Sequence, residues 1–280
     1  MLVPTILVEE WRSDPHWLAM LPQLVAECAV RWDLVLEEVV ETPHSLVVLA
    51  GDAVLKLNAP SHHEAEHESD ALELWDGVGA VRLLGRDDAR RALLVERCRP
   101  GTRLSEGGTD ALAVVLDLLP RLERRIDAGA RIRNLAEEAE RWEEETIRRY
   151  DAAAAPFERP LVDLALDVFR SADASTRRLV NVDLHGGNVL RAEREPWLVI
   201  DPKPLVGEAE LDGVGLVRNA AWSPEPRREV RRWLDGLAGL GLDRERLRAW
   251  GVAHALAWGW DERHGWSGRH VAAARTIAGA

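Results

Sequence analysis

The stretch Asn188–Asp201, NVLRAEREPWLVID, limits the possible folds more than any other part of the chain. Two apolar runs of strand length, VLRA and WLVI, flank the turn-like EREP, so the segment reads as an antiparallel hairpin. Pairing across the turn sets the residue before the first strand beside the residue after the second. Those residues are Asn188 and Asp201. Opposed residues of a ladder lie roughly 5 Å apart. An amide oxygen and a carboxylate at that spacing can share one hard cation, and Mg2+ accepts one or two protein ligands when phosphates and water fill its other positions. Asp183, five residues before Asn188, stands at the mouth of the same loop. Gly186 and Gly187 allow the tight backbone, right- or left-handed, that such a loop needs. Neutralised phosphate and a carboxylate that orients an attacking hydroxyl are the requirements of phosphoryl transfer. The alternative is a turn merely capped by Asp183 and Asn188. Asp201, closing an apolar strand, favours the first reading.

A second polar residue stands where an apolar one is expected. In AVLKLN, Lys56 shares a face with Val54 in a strand that otherwise reads as buried, a place where lysine seldom goes unpaired. The helical segment that follows carries Glu64 and Glu68 one turn apart, and either can be its partner. A strand lysine held by a helix glutamate is how protein kinases grip the α- and β-phosphates of ATP. No G-x-G-x-x-G motif precedes Lys56, so ETPHSL, residues 41–46, would have to cover the phosphates.

Around these features the pattern is sheet-rich first and helix-rich later. Residues 14–32 read as a helix with an irregularity at Pro22. LVLEEVV, SLVVLAG and AVLKLN read as a β-meander, residues 61–76 as a helix, and AVRLLG and RALLVERC as two more strands. From there, residues 109–128, 133–150, 160–172 and the region beyond 225 read as amphipathic helices, interrupted by strands only within 179–201. Two lobes follow, with the boundary near Arg99–Leu104.

The 280 residues carry a formal charge of −12, which argues against a nucleic-acid partner and suits a cationic small molecule. No apolar run is long enough to cross a bilayer, and Glu9, Glu10 and Asp14 arrive too early for a secretory signal, so a cytoplasmic location is expected. Cys28 and Cys98 have no ligand-type spacing and read as thiols. His63 and His67, four apart, suit a zinc pair or, more simply, a solvated helix face. Asp183 and His185 with His254, His264 or His270 would be a metallohydrolase alternative. Trp258 and Trp260 with Asp261 and Glu262 would line a cation pocket, or pack as core.

VDLHGGNVL followed by WLVIDPKPLVGEAELD resembles the aminoglycoside and hydroxyurea phosphotransferase family, particularly its streptomycin 6-phosphotransferase branch. The likeness extends through WLAMLPQLVAECAVRW, VLKL, LWDGVGAVRLLG and LLVERCRPGTRL, in matching order and spacing. The resemblance implies an α+β, bilobal protein-kinase-like fold. Residues 1–99 would form a small β-sheet nucleotide-binding lobe, and 100–280 a larger, mostly helical catalytic and substrate-binding lobe. It implies ATP and Mg2+ as cofactors and a small hydroxylated, cationic acceptor such as streptomycin; a hydroxyurea, sugar or cyclitol acceptor, or a nucleotide binder without transfer activity, stay open. Monomer and homodimer are both compatible with it. Residue by residue, Asp183 becomes the catalytic base, Asn188 and Asp201 the metal ligands, and Lys56 the phosphate-gripping lysine. Glu68, by its distance from Trp75, becomes the partner of Lys56. Glu96–Cys98 become the hinge whose backbone reads adenine, and Asp212 a structural acid. Many members have His-Gly-Asp at the catalytic turn, where this chain has Asn181-Val182-Asp183. That histidine is a scaffold, so Asn181 is expected to change loop bonding without abolishing activity.

Overall fold

The computed structural model describes residues 3–127, 131–154, 156–173 and 175–280. They divide into two compact units. One runs to Thr102 and includes Leu190–Asp201; the other holds Arg103–Val189 and Pro202–Ala280.

The first unit opens with helices α1 (Thr5–Glu10) and α2 (Pro15–Arg31). Asp14 starts α2 by accepting a hydrogen bond from Trp17 N, and Pro15 fills the first helical position, where no backbone donor is needed. Strands β1 (Val39–Val40), β2 (Ser45–Ala50), β3 (Ala53–Asn58), β4 (Leu83–Asp87) and β5 (Ala92–Glu96) form an antiparallel sheet in the order β1-β2-β3-β5-β4. Leu46, Val48, Leu55, Leu57, Ala92 and Leu94 share one buried cluster with Leu7, Trp17, Leu21, Val25 and Cys28 of the helices. Because side chains alternate along a strand, Lys56 and Asn58 are left to the other face. Helix α3 (Glu68–Trp75) follows a 3₁₀ turn at His63–Ala65.

Two strands differ from the sequence reading. Regular pairing in LVLEEVV is confined to Val39–Val40: Glu37 N donates to Leu49 O while Leu49 N donates to Glu38 O, so two residues face one and the ladder bulges. AVRLLG pairs later than expected. Ala80 forms a parallel bridge with Val199 instead, and Val81 N donates to Val199 O.

In the second unit α4 (Ala111–Leu122) starts at Asp110, whose side chain accepts from Leu112 N, and α5 (Leu135–Ala152) at Asn134, which accepts from Ala136 N. The helix expected over 109–128 ends early because Arg124–Arg125, strand β6, pair with β7 (Arg178–Asn181); residue 128 lies outside the described residues. Helix α6 (Arg159–Arg170) precedes β7. The hairpin strands β8 (Val189–Arg191) and β9 (Trp197–Val199) pair with each other and from Leu190 on belong to the first unit, whereas β10 (Pro204–Gly207) returns antiparallel to β7 with Pro204 opposite Asn181. Helices α7 (Val214–Ala220), α8 (Pro226–Ala238), α9 (Arg244–Ala257) and α10 (Gly268–Ala278) complete the unit, with a short hairpin of β11 (Trp260–Asp261) and β12 (Gly265–Trp266) before α10. Strand β10 and helix α7 are additions to the sequence reading. Helix α9 is the core, with Leu247, Trp250, Val252 and Leu256 buried among α6, α7 and α10. Among the described residues no helix is long and apolar enough to cross a membrane.

Candidate active site

In the first unit everything polar on the inner face of β3 converges on Lys56. Its Nζ donates to Glu68 Oε1 and Oε2, both at 2.7 Å, and to Asp201 Oδ1 at 2.6 Å. Lys56 and Glu68 are buried, so these charge-assisted bonds act in a low dielectric, where an unmatched charge would be expensive. The bonding continues outward: Asn58 Nδ2 donates to Glu68 Oε2 at 3.0 Å, and Ser45 Oγ donates to Asn58 Oδ1 at 2.6 Å. Glu68 opens α3, where the helix dipole favours an anion. Glu64 lies in the preceding 3₁₀ turn.

Asp201 ends the β8–β9 hairpin with φ at +49°, a left-handed conformation that costs a non-glycine residue of order 1–3 kcal/mol and recurs where function fixes a side chain. The hairpin is anchored from its turn. Arg194 forms a two-pronged pair with Glu96, Nε–Oε1 and Nη2–Oε2 both at 2.8 Å, and donates to the carbonyls of Gly77 (2.7 Å) and Ala80 (2.9 Å). Burial alone would raise the pKa of Glu96, but the Arg194 bonds outweigh it and hold the carboxyl below its ordinary value. The Glu96 side chain is therefore an anchor. Two residues on, Cys98 is a thiol pushed up to about 12 by burial and then by the Glu96 charge. Glu96 N donates to Arg82 O and Arg97 N to Asp52 O, whereas the backbone of Cys98 makes no backbone hydrogen bond among the described residues.

In the second unit Asp183 follows β7 on a loop bonded through its backbone. Asn181 Oδ1 accepts from Asp183 N (3.2 Å) and from Lys203 N (2.9 Å), which ties the loop to the entrance of β10. Asn181 N in turn donates to Asp212 Oδ1 at 2.7 Å. Asp212 is buried, which pushes its pKa up to about 6 against the opposing pull of Arg178, 3.5 Å away. Asn188 Nδ2 donates to Asp183 O (3.1 Å) and Oδ2 (3.4 Å), so the amide is turned with its oxygen away from Asp183. The Asp183 carboxylate keeps a fifth of its surface exposed and has two neighbours at 3.7 Å, the Arg218 guanidinium through Nη2 and the His185 ring through Nε2.

The glycines of this loop allow the tight backbone expected of them, without its left-handed form. Neither Gly186 nor Gly187 has a positive φ. A Cβ on Gly186 would lie 3.2 Å from Ser105 N, which donates to Gly186 O, and one on Gly187 would lie 2.8 Å from the His185 ring. Close approach, not handedness, requires them.

The competing sites dissolve. His67 pairs with Asp70 at 2.9 Å, and no group of three or more His, Cys, Asp or Glu able to hold a metal occurs among the described residues. His254 is buried, stacked on Trp258 at 4.1 Å, and held well below its ordinary pKa chiefly by that burial. Trp258 packs on Trp142, and the cation over Trp260 is the chain's own Arg149, 5.6 Å from the ring centre.

Three site residues escaped sequence reading. Arg194 sits among glutamates in a turn and looks solvated. Asn58 ends a strand, where a polar residue is unremarked. Arg218 interrupts the apolar run VGLV-R-NAA, and that lone charge was a usable signal.

Comparison with known proteins matches residues 31–265 to the family described as aminoglycoside/hydroxyurea antibiotic resistance kinase. A streptomycin 6-kinase of Streptomyces griseus is 38% identical over 89% of this chain and 84% of its own length. A hydroxyurea phosphotransferase of Kitasatospora aureofaciens is 37% identical over 84% of this chain and 71% of its own. Among solved structures, choline kinase LicA from Streptococcus pneumoniae superposes with a TM-score of 0.65 over 93% of this chain and 99% of that one, at 14% identity. That likeness gives the fold: α+β, bilobal and kinase-like. The family match spans most of the chain, which therefore belongs to the aminoglycoside/hydroxyurea antibiotic resistance kinase family and is a phosphotransferase.

Proposed function

We infer that the protein is an ATP- and Mg2+-dependent O-phosphotransferase that inactivates a small hydroxylated antibiotic, and that its acceptor is an aminoglycoside of the streptomycin type. The observation that carries this reading is the Lys56 cluster, one buried ammonium held by two carboxylates at hydrogen-bond distance. Such a lysine is fixed in place to receive phosphate oxygens, which a solvated lysine is not. The relative named streptomycin 6-kinase supports the acceptor class, and a net charge of −12 favours a polycationic drug.

The donor set suits Mg2+. Asn188 would offer an amide oxygen and Asp201 a carboxylate, hard oxygen ligands of the number this ion takes from protein when phosphates supply the others. When bound, the ion neutralises charge on the triphosphate. Residues 1–99 would hold the nucleotide, with the unpaired backbone donor and acceptor of Cys98 in the Glu96–Cys98 hinge reading adenine. Lys56, oriented by Glu68, would hold α- and β-phosphate oxygens. Residues 100–280 would carry the acceptor and the base.

Asp183 accepts the proton of the acceptor hydroxyl as the new oxygen–phosphorus bond forms and the bond from the γ-phosphorus to the ADP oxygen breaks. Arg218 and His185 steady its carboxylate from one side, and Asn181 fixes its backbone, the scaffold work for which other members use histidine.

The test is incubation of the purified protein with ATP, Mg2+ and streptomycin, followed by mass spectrometry. The expected product is streptomycin heavier by one phosphoryl group, absent with Asp183→Ala. Full turnover in that variant contradicts the assigned base. Hydroxyurea is the second acceptor to assay, because the hydroxyurea phosphotransferase is as similar to this chain as the streptomycin kinase. ATP raising the melting temperature with no product on any acceptor would make the chain a nucleotide binder.

A further inference from the structure

The loop between β1 and β2, Glu41–His44, occupies the place where kinase-type sheets cover the donor phosphates, yet it contains no glycine. Its position follows from register. Val47 pairs with Lys56 and Ser45 with Asn58, so the loop begins just past the end of β3 that carries the Lys56–Glu68 chain. A glycine-rich loop closes on phosphate by backbone freedom. Pro43 fixes φ and removes a donor, so this loop has little such freedom.

The structure supplies a different device. Trp11, just after α1, donates from Nε1 to the carbonyl of His44 at 3.1 Å. His62, a buried residue beyond β3, lies between them, its ring 5.4 Å from Trp11 and 5.8 Å from His44. Trp11 is itself held edge-on by buried Trp17 of α2, with ring centres 6.1 Å apart. From the other end, the Thr42 hydroxyl donates to Ser45 O, and Ser45 Oγ joins the Asn58–Glu68–Lys56 chain. The loop is thus held where it enters β2, at His44 by the N-terminal helices and at Ser45 by the chain that reaches the phosphate lysine.

We propose that Trp11 is a positioning residue for the nucleotide: with His62 it latches the Glu41–His44 loop over the donor phosphates, so a segment ahead of the sheet sets the KM for ATP. The latch does in advance what glycine flexibility does on binding, because a loop ordered before the ligand arrives loses less entropy when it closes. The inference rests on the phosphotransferase reading above.

The variant Trp11→Phe keeps the ring packing and deletes the one donor. Loss of a single hydrogen bond should raise the KM for ATP about three- to tenfold. The KM for the acceptor should hold within twofold, and amide exchange across residues 42–45 should accelerate by a similar factor in the nucleotide-free protein. His62→Phe, which preserves the stacked layer, should leave both the KM for ATP and the loop exchange within twofold of wild type. An unchanged melting temperature separates either result from unfolding. Faster loop exchange with an unchanged KM for ATP overturns the proposal, as does unchanged exchange. Either of those outcomes leaves the wild-type turnover, and with it the functional reading, intact; a wild type that binds no ATP sinks both together.

Discussion

Lys56 and Asp183 are both charged residues in polar company, but they are held in opposite ways. Lys56 is bound by its functional atom: the ammonium itself meets Glu68 and Asp201 at 2.6–2.7 Å, out of water. Asp183 is bound mainly by its backbone, through Asn181 and Asn188, while its carboxylate meets Arg218 and the His185 ring only at 3.7 Å. A cation that must hold a multiply charged donor gains from being fixed and desolvated beforehand. A base that must take a proton needs an oxygen left accessible. The difference suggests a division of labour in which the first cluster binds and the second reacts.

The comparison breaks most sharply at Asp183. Its replacement by alanine should lower turnover by about 10²–10⁴, the usual contribution of a positioned acid or base, with the dissociation constant for ATP within a few-fold of wild type, measured by steady-state kinetics and calorimetry. Lys56→Met should do the reverse in part. It strands a buried glutamate, so the unfolding free energy in urea should fall by about 3–5 kcal/mol, and ATP affinity should fall with it.

Asp212 sharpens the account of the loop. Its folded pKa, near 6, lies above the ordinary carboxylate value, so between the two the folded chain keeps a proton that the unfolded chain has released. Stability from this group is therefore full at the lower pH and declines as pH rises through about 6. D212N, which can still accept from Asn181 N, lacks that titration. Denaturation at a series of pH values should show wild type losing roughly 1–3 kcal/mol relative to the variant across the window, and parallel curves would refute it. Arg194→Ala should be milder, about 1–3 kcal/mol in urea with a raised KM for ATP, since water reaches Glu96 once its partner is gone.

Much of this was legible beforehand, for identifiable reasons. AVLKLN names both its strand and its exception, because strict alternation makes a lone lysine conspicuous. The hairpin from Val189 to Val199 is visible in two apolar runs around a turn. What stayed hidden depends on tertiary contacts that leave no period in sequence. Arg194 and Glu96 are 98 residues apart, and Trp11 meets His44 across 33. The glycines at 186 and 187 were singled out for the tight loop they allow, but what they pack against stayed hidden, since Ser105 cannot be seen from the loop's own sequence. Strand β10 was lost because PLVG is short and opens on proline, at a position whose missing donor only the fold can excuse.

The most direct measurement is a side-by-side single-turnover assay of wild type, Asp183→Ala and Lys56→Met with labelled ATP, scoring bound nucleotide and phosphorylated streptomycin in the same samples. The account predicts that Asp183→Ala binds ATP and transfers almost nothing, while Lys56→Met binds poorly. An Asp183→Ala protein that transfers phosphate as fast as wild type contradicts it.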